Sequence, residues 1–366
     1  MRTLILSFSL FLVFITGCSS QNIEVFAKFN ENRPANPAVD RNGNVFVTMH
    51  PIDGANISLM KIDKNGNQSI YPNEAWASNP GDDGIGIANA IGIQVTQKDI
   101  LYILDWGNET SDARIVAWNV AEDKLHRLYT LPSYVQKPNS FLQDFALDTD
   151  RQFIYIADMG RGDFTGEQEP AIISVDLTTG FAKRLLNGHE TFLAGNEGFK
   201  ADGEQVTVQT AEGKVPLNLG LNPITIDPNN EWVYYSTVNA GTVYRIKAML
   251  LSDFSKSDKE LAQGIEAYGP KPESDGISVD SEGNVYITSL SENAIGITTK
   301  DNYDILVQDN NQMIWPDGMS YGPDGYFYVV VDQLHKAAAL NGGKEGAQKP
   351  YKILKVEAAG KNKIGR

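Results

Sequence analysis

Cysteine is nearly absent from this sequence: the 366-residue chain has one, Cys18. With no second thiol, no disulfide within the chain is available, and packing alone must hold the fold. Positive charge is scarce as well, with 31 Lys and Arg against 46 Asp and Glu and a net charge of −15. Phosphate backbones are gripped by clustered basic side chains, so nucleic acid is excluded as a partner. The acidic residues are spread along the chain, a pattern that serves solubility. Histidine occurs four times, at His50, His126, His189 and His335, without the spacing that gathers imidazoles around a metal. His50 stands beside a proline after a strand-like segment, which suits a turn. No His-Glu-x-x-His zinc motif occurs, and no strand–turn–helix elbow for a nucleophilic serine is read from the sequence. Gly84-Ile-Gly86 lacks the third glycine of a nucleotide-binding loop. Long helical periodicity is also missing between the strand-like segments, which disfavours a parallel α/β fold.

What is present begins with a short positive start, Met1-Arg2, and an apolar run from Leu4 to Ile15 broken only by Ser7 and Ser9. The run is short for a membrane span and has the shape of a secretory signal. It ends in Ile15-Thr16-Gly17-Cys18, which resembles a bacterial lipobox, where cleavage before the cysteine frees its thiol for a diacylglycerol. The expectation is a signal peptide over 1–17, lipidation at Cys18 and a short tether over 18–22. Ser19 favours sorting to the outer membrane. The chain is thus expected to be exported, lipid-anchored at the outer membrane, cell surface or periplasm, with no other membrane contact.

From residue 23 to 366 one phrase recurs: an apolar triplet, a tight turn, then an aromatic and β-branched strand. The copies are Asn36–Thr48, Ile91–Asp105, Gln143–Asp158, Asn222–Ser236, Asp275–Thr288 and Asp317–Val329. Each reads as a hairpin with an Asp- or Gly-bearing turn. Asp148, Asp227 and Asp280 head such turns. Most copies are followed by a second hairpin, such as Ile172–Asp176 with Thr179-Gly180. Two hairpins make a four-stranded sheet, so the fold class is all-β, a single six-bladed β-propeller. Ile23–Phe29 and Tyr351–Val356 are placed to complete one shared blade and remove a free edge. The longest insertion, around 187–219, reads as a loop packed on one face.

Several segments follow one another in the order found in a known family. They include Leu104-Asp-Trp-Gly107, Phe141–Asp148, Tyr155-Ile-Ala-Asp-Met-Gly160, Lys271-Pro-Glu-Ser-Asp-Gly276 and Trp315-Pro-Asp-Gly318. In this the chain resembles the Yellow / major royal jelly protein family, from about residue 33 to 335. His50-Pro51 and Tyr71–Trp76 resemble the bacterial and fungal branch of that family. The resemblance implies a propeller that binds an amine, a catechol or another ring compound in its central channel. It also implies, as an alternative, an isomerase of the dopachrome-tautomerase kind. A more distant likeness to the gluconolactonase / senescence-marker propellers implies a metal-dependent lactone hydrolase. Asn222 and Asp275 match that metal pattern, but Arg33-Pro-Ala-Asn36 stands where its glutamate would be.

In a propeller the first residues of each innermost strand face the channel, which nominates Asn36, Gln143, Asp144, Asn222, Asp275 and Asp317. Converging oxygens of this kind suit a hard cation such as calcium, with Asn222 and Asp275 as ligands. Asp275 and Asp317 are also the candidate proton-moving groups. For both, capping of a local turn is the competing reading. Trp106 and Trp315, close to acidic residues, are candidate walls for a flat or cationic ligand, with packing between blades as the alternative. Asp105 and Asp158 read as loop caps. A small molecule is the expected partner, and a closed acidic ring is expected to be a monomer.

Overall fold

The computed structural model describes residues 23–211 and 213–365. The signal segment, the tether and Cys18 lie outside these residues.

Six four-stranded antiparallel sheets stand around one axis, each formed by strands consecutive in sequence except the last. Blade 1 runs from Pro34–Val39 through Val45–Met49 and Leu59–Ile62 to Gln68–Ile70, from the axis outward. Blades 2 to 5 begin at the axis with Ala90–Val95, Leu142–Asp148, Leu221–Ile226 and Ser274–Val279. Blade 6 takes Pro316–Tyr321, Tyr326–Val331 and Tyr351–Glu357 from the C-terminal part and its outermost strand, Glu24–Phe29, from the N-terminal part. Pairing of Phe29 with Tyr351 and of Glu24 with Lys355 therefore closes the ring by backbone hydrogen bonds. Both strand edges that a linear chain would leave open are covered.

The turns between the first two strands explain why the repeat phrase could be read. Asp40 accepts from the amides of Asn42 and Asn44 at 2.8 Å each, and Gly43 takes φ +80°. Asp280 repeats this with Glu282 and Asn284, and Gly283 takes φ +86°. A short acceptor side chain and a glycine free to adopt left-handed backbone are what such a turn requires. These aspartates are turn formers. Asp105 and Asp158, at the ends of second strands, accept loop amides and pair with Arg114 and Arg184. Their carboxylates fasten loops.

Apolar side chains fill the wedges between blades. Phe145, Ile156 and Ile115 join blades 2 and 3; Tyr155, Tyr235 and Ile224 join blades 3 and 4; Tyr286, Phe327 and Val329 join blades 5 and 6. Each large apolar side chain so buried contributes about 1.5–3 kcal/mol. One further cluster, Phe199, Leu217, Leu219, Leu334 and Leu340 among others, belongs to no blade pair. It is assembled from the segment after blade 3 and the segment between the second and third strands of blade 6, and it lies over one mouth of the channel. At the other mouth, Lys361 O accepts from Ser281 N at 2.9 Å and Gly365 N donates to Tyr321 O at 3.0 Å. The C-terminal tail thus crosses that opening.

Candidate functional site

Every innermost strand breaks register with its neighbour near its start, between Pro34 and Pro37, Ala90 and Ile93, Leu142 and Phe145, Leu221 and Ile224, Ser274 and Ile277, and Pro316 and Met319. A bulge turns side chains away from the regular alternation. The residues inside the six bulges are Ala35-Asn36, Ile91-Gly92, Gln143-Asp144, Asn222-Pro223, Asp275-Gly276 and Asp317-Gly318. Eight of these, the polar Asn36, Gln143, Asp144, Asn222, Asp275 and Asp317 together with Ile91 and Gly276, line a single cavity on the axis.

Glycine in a bulge makes room for the neighbouring blade. A Cβ on Gly318 would lie 1.8 Å from Asn36 Oδ1, and one on Gly92 would lie 2.9 Å from Asp144 Oδ1. One on Gly276 would lie 2.6 Å from the Asp317 carbonyl oxygen. The Asp-Gly steps of blades 5 and 6 thus supply a carboxylate from the first residue and a close blade-to-blade approach from the second.

The carboxylates are not equivalent. Asp275 is satisfied: Asn222 Nδ2 donates to its Oδ1 at 2.6 Å and Trp315 Nε1 donates to its Oδ2 at 2.8 Å. Asp144 accepts from its neighbour's amide, Phe145 N, at 2.8 Å. The Asp317 carboxylate takes no hydrogen bond of normal geometry from the described residues, and the nearby Gly318 amide eases its charge only weakly. Burial raises Asp144 to about 8, assisted by the charge of Asp275. Burial raises Asp317 well above the ordinary carboxylate range, and Asp275, Asp332 and Asp144 push it further. Asp275 is raised by burial, opposed by its two donors. Behind this group, Asp332 is buried with one oxygen unpartnered and is also raised by burial, against the pull of Arg33. No Lys or Arg of the described residues lines the cavity. The Arg33 guanidinium faces Asp53, Glu345 and the Asp332 carbonyl instead.

Above the carboxylates the cavity is roofed by Phe164, Leu217, Leu219, Leu334 and Leu340. What remains inside for water-sized molecules is about 40 Å³, enough for a few waters. Next to it lies an open vestibule of about 560 Å³ lined by Trp106, Pro138, Phe141 and Phe164 among others. His50, Ile52, Phe141 and Phe164 line both spaces and form the partition between them.

Trp315 lines the axial cavity. It is fully buried, has φ +54°, stacks on His335 at 5.6 Å and spends its indole N–H on Asp275. Trp106 lies outside the axial cavity, in the vestibule, with its ring edge-on to Phe141 at 5.0 Å. His50 caps a 3-10 turn through Nδ1, which accepts from Ile52 N at 3.1 Å. Burial, with Arg33 nearby, pushes its imidazole down to about 3, so it is a neutral wall residue. The string Gly318-Met-Ser320-Tyr-Gly322 has the letters of a nucleophile elbow but not its geometry: it begins in a strand, and Ser320 Oγ is buried accepting from Val39 N at 3.1 Å.

As a ligand set for calcium the arrangement is thin. The ion takes six to eight oxygens, whereas both Asp275 oxygens accept N–H bonds and Asn222 turns its amide nitrogen to Asp275. No group of three or more His, Cys, Asp and Glu side chains is gathered for a metal among the described residues. Asn36 Oδ1, on the cavity wall, is fully buried without a hydrogen-bond partner.

The roof and partition residues were missed by sequence reasoning. They come from loops, where no periodicity marks the residue that points inward.

Fold and site together define a six-bladed propeller with an acidic, roofed cavity on its axis. The chain belongs to the major royal jelly protein family, whose model matches residues 88–363. Protein yellow of Drosophila erecta is 22% identical over 300 residues, covering 76% of this chain and 49% of that protein. Protein yellow of Drosophila melanogaster is 22% identical over 298 residues, with the same coverage of 76% and 49%. The chain spans about half the length of these curated relatives. Among solved structures, a luciferin-regenerating enzyme superposes with a TM-score of 0.58 at 11% identity, covering 94% of this chain and 99% of that one. A calcium-binding protein, regucalcin, from Agrobacterium tumefaciens strain C58 gives 0.56 at 14% identity, covering 94% and 98%. At such identities the likeness speaks for the fold alone.

Proposed function

We propose that the axial cavity binds the cationic end of a small organic molecule, an ammonium group carried by a ring compound. One observation carries this reading: Asp144, Asp275 and Asp317 face one enclosed space with no Lys or Arg beside them. A buried carboxylate without a partner is costly and either takes up a proton or attracts a cation. An ammonium ion supplies both the charge and the N–H donors that Asp317 lacks, and a carboxylate beside apolar walls is the usual recognition of such a group. The test is calorimetric titration of the unlipidated chain, residues 19–366, with arylalkylammonium ions and separately with calcium. Binding of the amines that is lost in Asp317→Asn supports the reading. Calcium binding without amine binding would replace it with the metal-dependent hydrolase reading, to be followed by chelator-sensitive lactone hydrolysis.

A second reading, proton transfer on the bound molecule, is favoured by Asp144, whose carboxyl is raised by burial to about 8, where a group can both give and take a proton near neutrality. Asp275, held by two donors, is less free to do so than Asp144 or Asp317. Turnover of dopachrome that Asp144→Asn abolishes while amine binding persists would support it; turnover unchanged by that substitution would sink it.

We further infer export and anchoring through Cys18. Labelled palmitate is expected to enter the wild-type chain in a bacterial host and to be absent from Cys18→Ser. Equal labelling of the two would remove the anchor from the account.

A further inference from the structure

The two spaces on the roofed face differ in what they hold. The axial cavity offers about 40 Å³, well short of the roughly 150 Å³ of a cavity known to take up benzene. A small charged group fits there; an aromatic ring does not. The vestibule offers about 560 Å³ and opens to solvent. Its walls carry three rings in a row: Trp106 meets Phe141 edge-on at 5.0 Å, and Phe141 meets Phe164 edge-on at 5.7 Å.

Most of the polar side chains in the vestibule wall already hold hydrogen bonds within the chain. Asn89 Nδ2 donates to Gly107 O at 2.7 Å, and Ser140 Oγ donates to Asp158 Oδ2 at 2.5 Å. Asp163 Oδ1 accepts from Thr165 N at 3.1 Å and Gly166 N at 2.9 Å, while Asn139 Oδ1 accepts from Asp163 N at 3.1 Å. What the wall presents to a visitor is therefore mostly aromatic and aliphatic surface, with the exposed Asp163 carboxylate at its edge. A sugar, with hydroxyls to satisfy all round its ring, is poorly served by such a wall; a flat apolar ring is well served. The vestibule adjoins the acidic cavity across one shared wall of His50, Ile52, Phe141 and Phe164, so a linker passes only if the side chains of that wall move aside.

We propose that Trp106, Phe141 and Phe164 form the ring subsite of a two-part site, with the ligand's linker passing the Phe141–Phe164 partition so that its charged end reaches the cavity of Asp317. This rests on the ammonium reading above and adds where the ring lies and which residues select it. Trp315 lines the axial cavity and not the vestibule. Ligand choice then has two independent parts: charge, set by the axial carboxylates, and ring size and linker length, set by the vestibule.

The experiment compares phenethylammonium and tryptammonium with ringless ethylammonium on the wild-type chain, on Trp106→Ala and on Phe164→Ala. Two variants are used because Trp106 also packs against the core between blades 2 and 3, whereas Phe164 is on a loop. The wild type is expected to bind the ring compounds at least tenfold more tightly than ethylammonium. Each variant is expected to remove most of that advantage; Trp106→Ala, outside the axial cavity, leaves ethylammonium unchanged, and Phe164→Ala, which also roofs that cavity, is read through the ratio of ring compound to ethylammonium affinity. A ring advantage that survives both substitutions overturns the inference and leaves the ammonium reading standing. Failure of all three ions to bind the wild type removes the ammonium reading and this inference together.

Discussion

Asp317→Asn is expected to raise the melting temperature of the protein at pH 8 while removing its affinity for ammonium ions. The reasoning starts from the surroundings of the carboxylate. It is buried, it takes no hydrogen bond of normal geometry from the described residues, and three other carboxylates, Asp275, Asp332 and Asp144, act on its charge. Its ionisation is therefore harder in the folded chain than in the unfolded one. For a group whose folded value is raised, stability is fully present below the unfolded value and is lost as pH rises through the folded one. Asparagine keeps the shape and never ionises, so it removes the loss without opening a cavity. Replacing a buried charge that lacks good partners is worth about 1–4 kcal/mol in favourable cases. The gain should be smallest below pH 3, where the wild-type group is protonated in both states, and should grow as pH rises above the ordinary aspartate value. Calorimetric scans near pH 3, 7 and 9 check this. A variant less stable at every pH would show that the carboxylate is a satisfied structural cap, the turn reading of its Pro-Asp-Gly step. A gain in stability coupled to a loss of binding is the pattern of a group kept for function at the expense of the fold.

How much of this was legible beforehand depends on the kind of residue. The propeller was legible because each blade spells its first hairpin with an alternating strand and an Asp- or Gly-bearing turn, as at Asp40–Gly43 and Asp280–Gly283. The axial positions were legible because a polar residue at the start of an otherwise apolar, buried strand has few places to point; the bulges then turn Asn36, Gln143, Asp144, Asn222, Asp275 and Asp317 onto one cavity. Difference in role among these six was not legible. Asp275 and Asp317 share an Asp-Gly step, yet the first is held by Asn222 and Trp315 and the second by no hydrogen bond of normal geometry from the described residues. That difference is decided by Trp315, whose left-handed backbone swings the indole inward to Asp275. Nothing in the order Trp-Pro-Asp-Gly announces it, since left-handed backbone is uncommon for a bulky residue. The roof was hidden for another reason. Leu217, Leu219, Leu334 and Leu340 sit in connections without regular structure or in single 3-10 turns, and there an apolar residue carries no phase that says which way it faces.

The affinity for a cationic ligand should rise with pH between about 6 and 8, with protons released on binding. Asp144 lies at about 8 and Asp317 is raised as well, so near neutrality the cavity stores protons. A cation favours the ionised carboxylates and must displace those protons. Each proton released gives up to a tenfold gain in affinity per pH unit below the group's own value, and the gain levels off above about 8 as Asp144 ionises unaided. Phenethylammonium stays protonated through this window, so the slope reports the protein and not the ligand. Titrations in two buffers of different ionisation enthalpy count the protons directly: the difference in measured heat, divided by the difference in buffer enthalpy, gives the number released. Asp144→Asn, in which amine binding persists, should lower that number. Affinity independent of pH, with no proton released, would mean that the carboxylates are already ionised in the free protein. In that case a resident cation in the cavity, and not a visiting one, would be the right account of three carboxylates in one enclosed space.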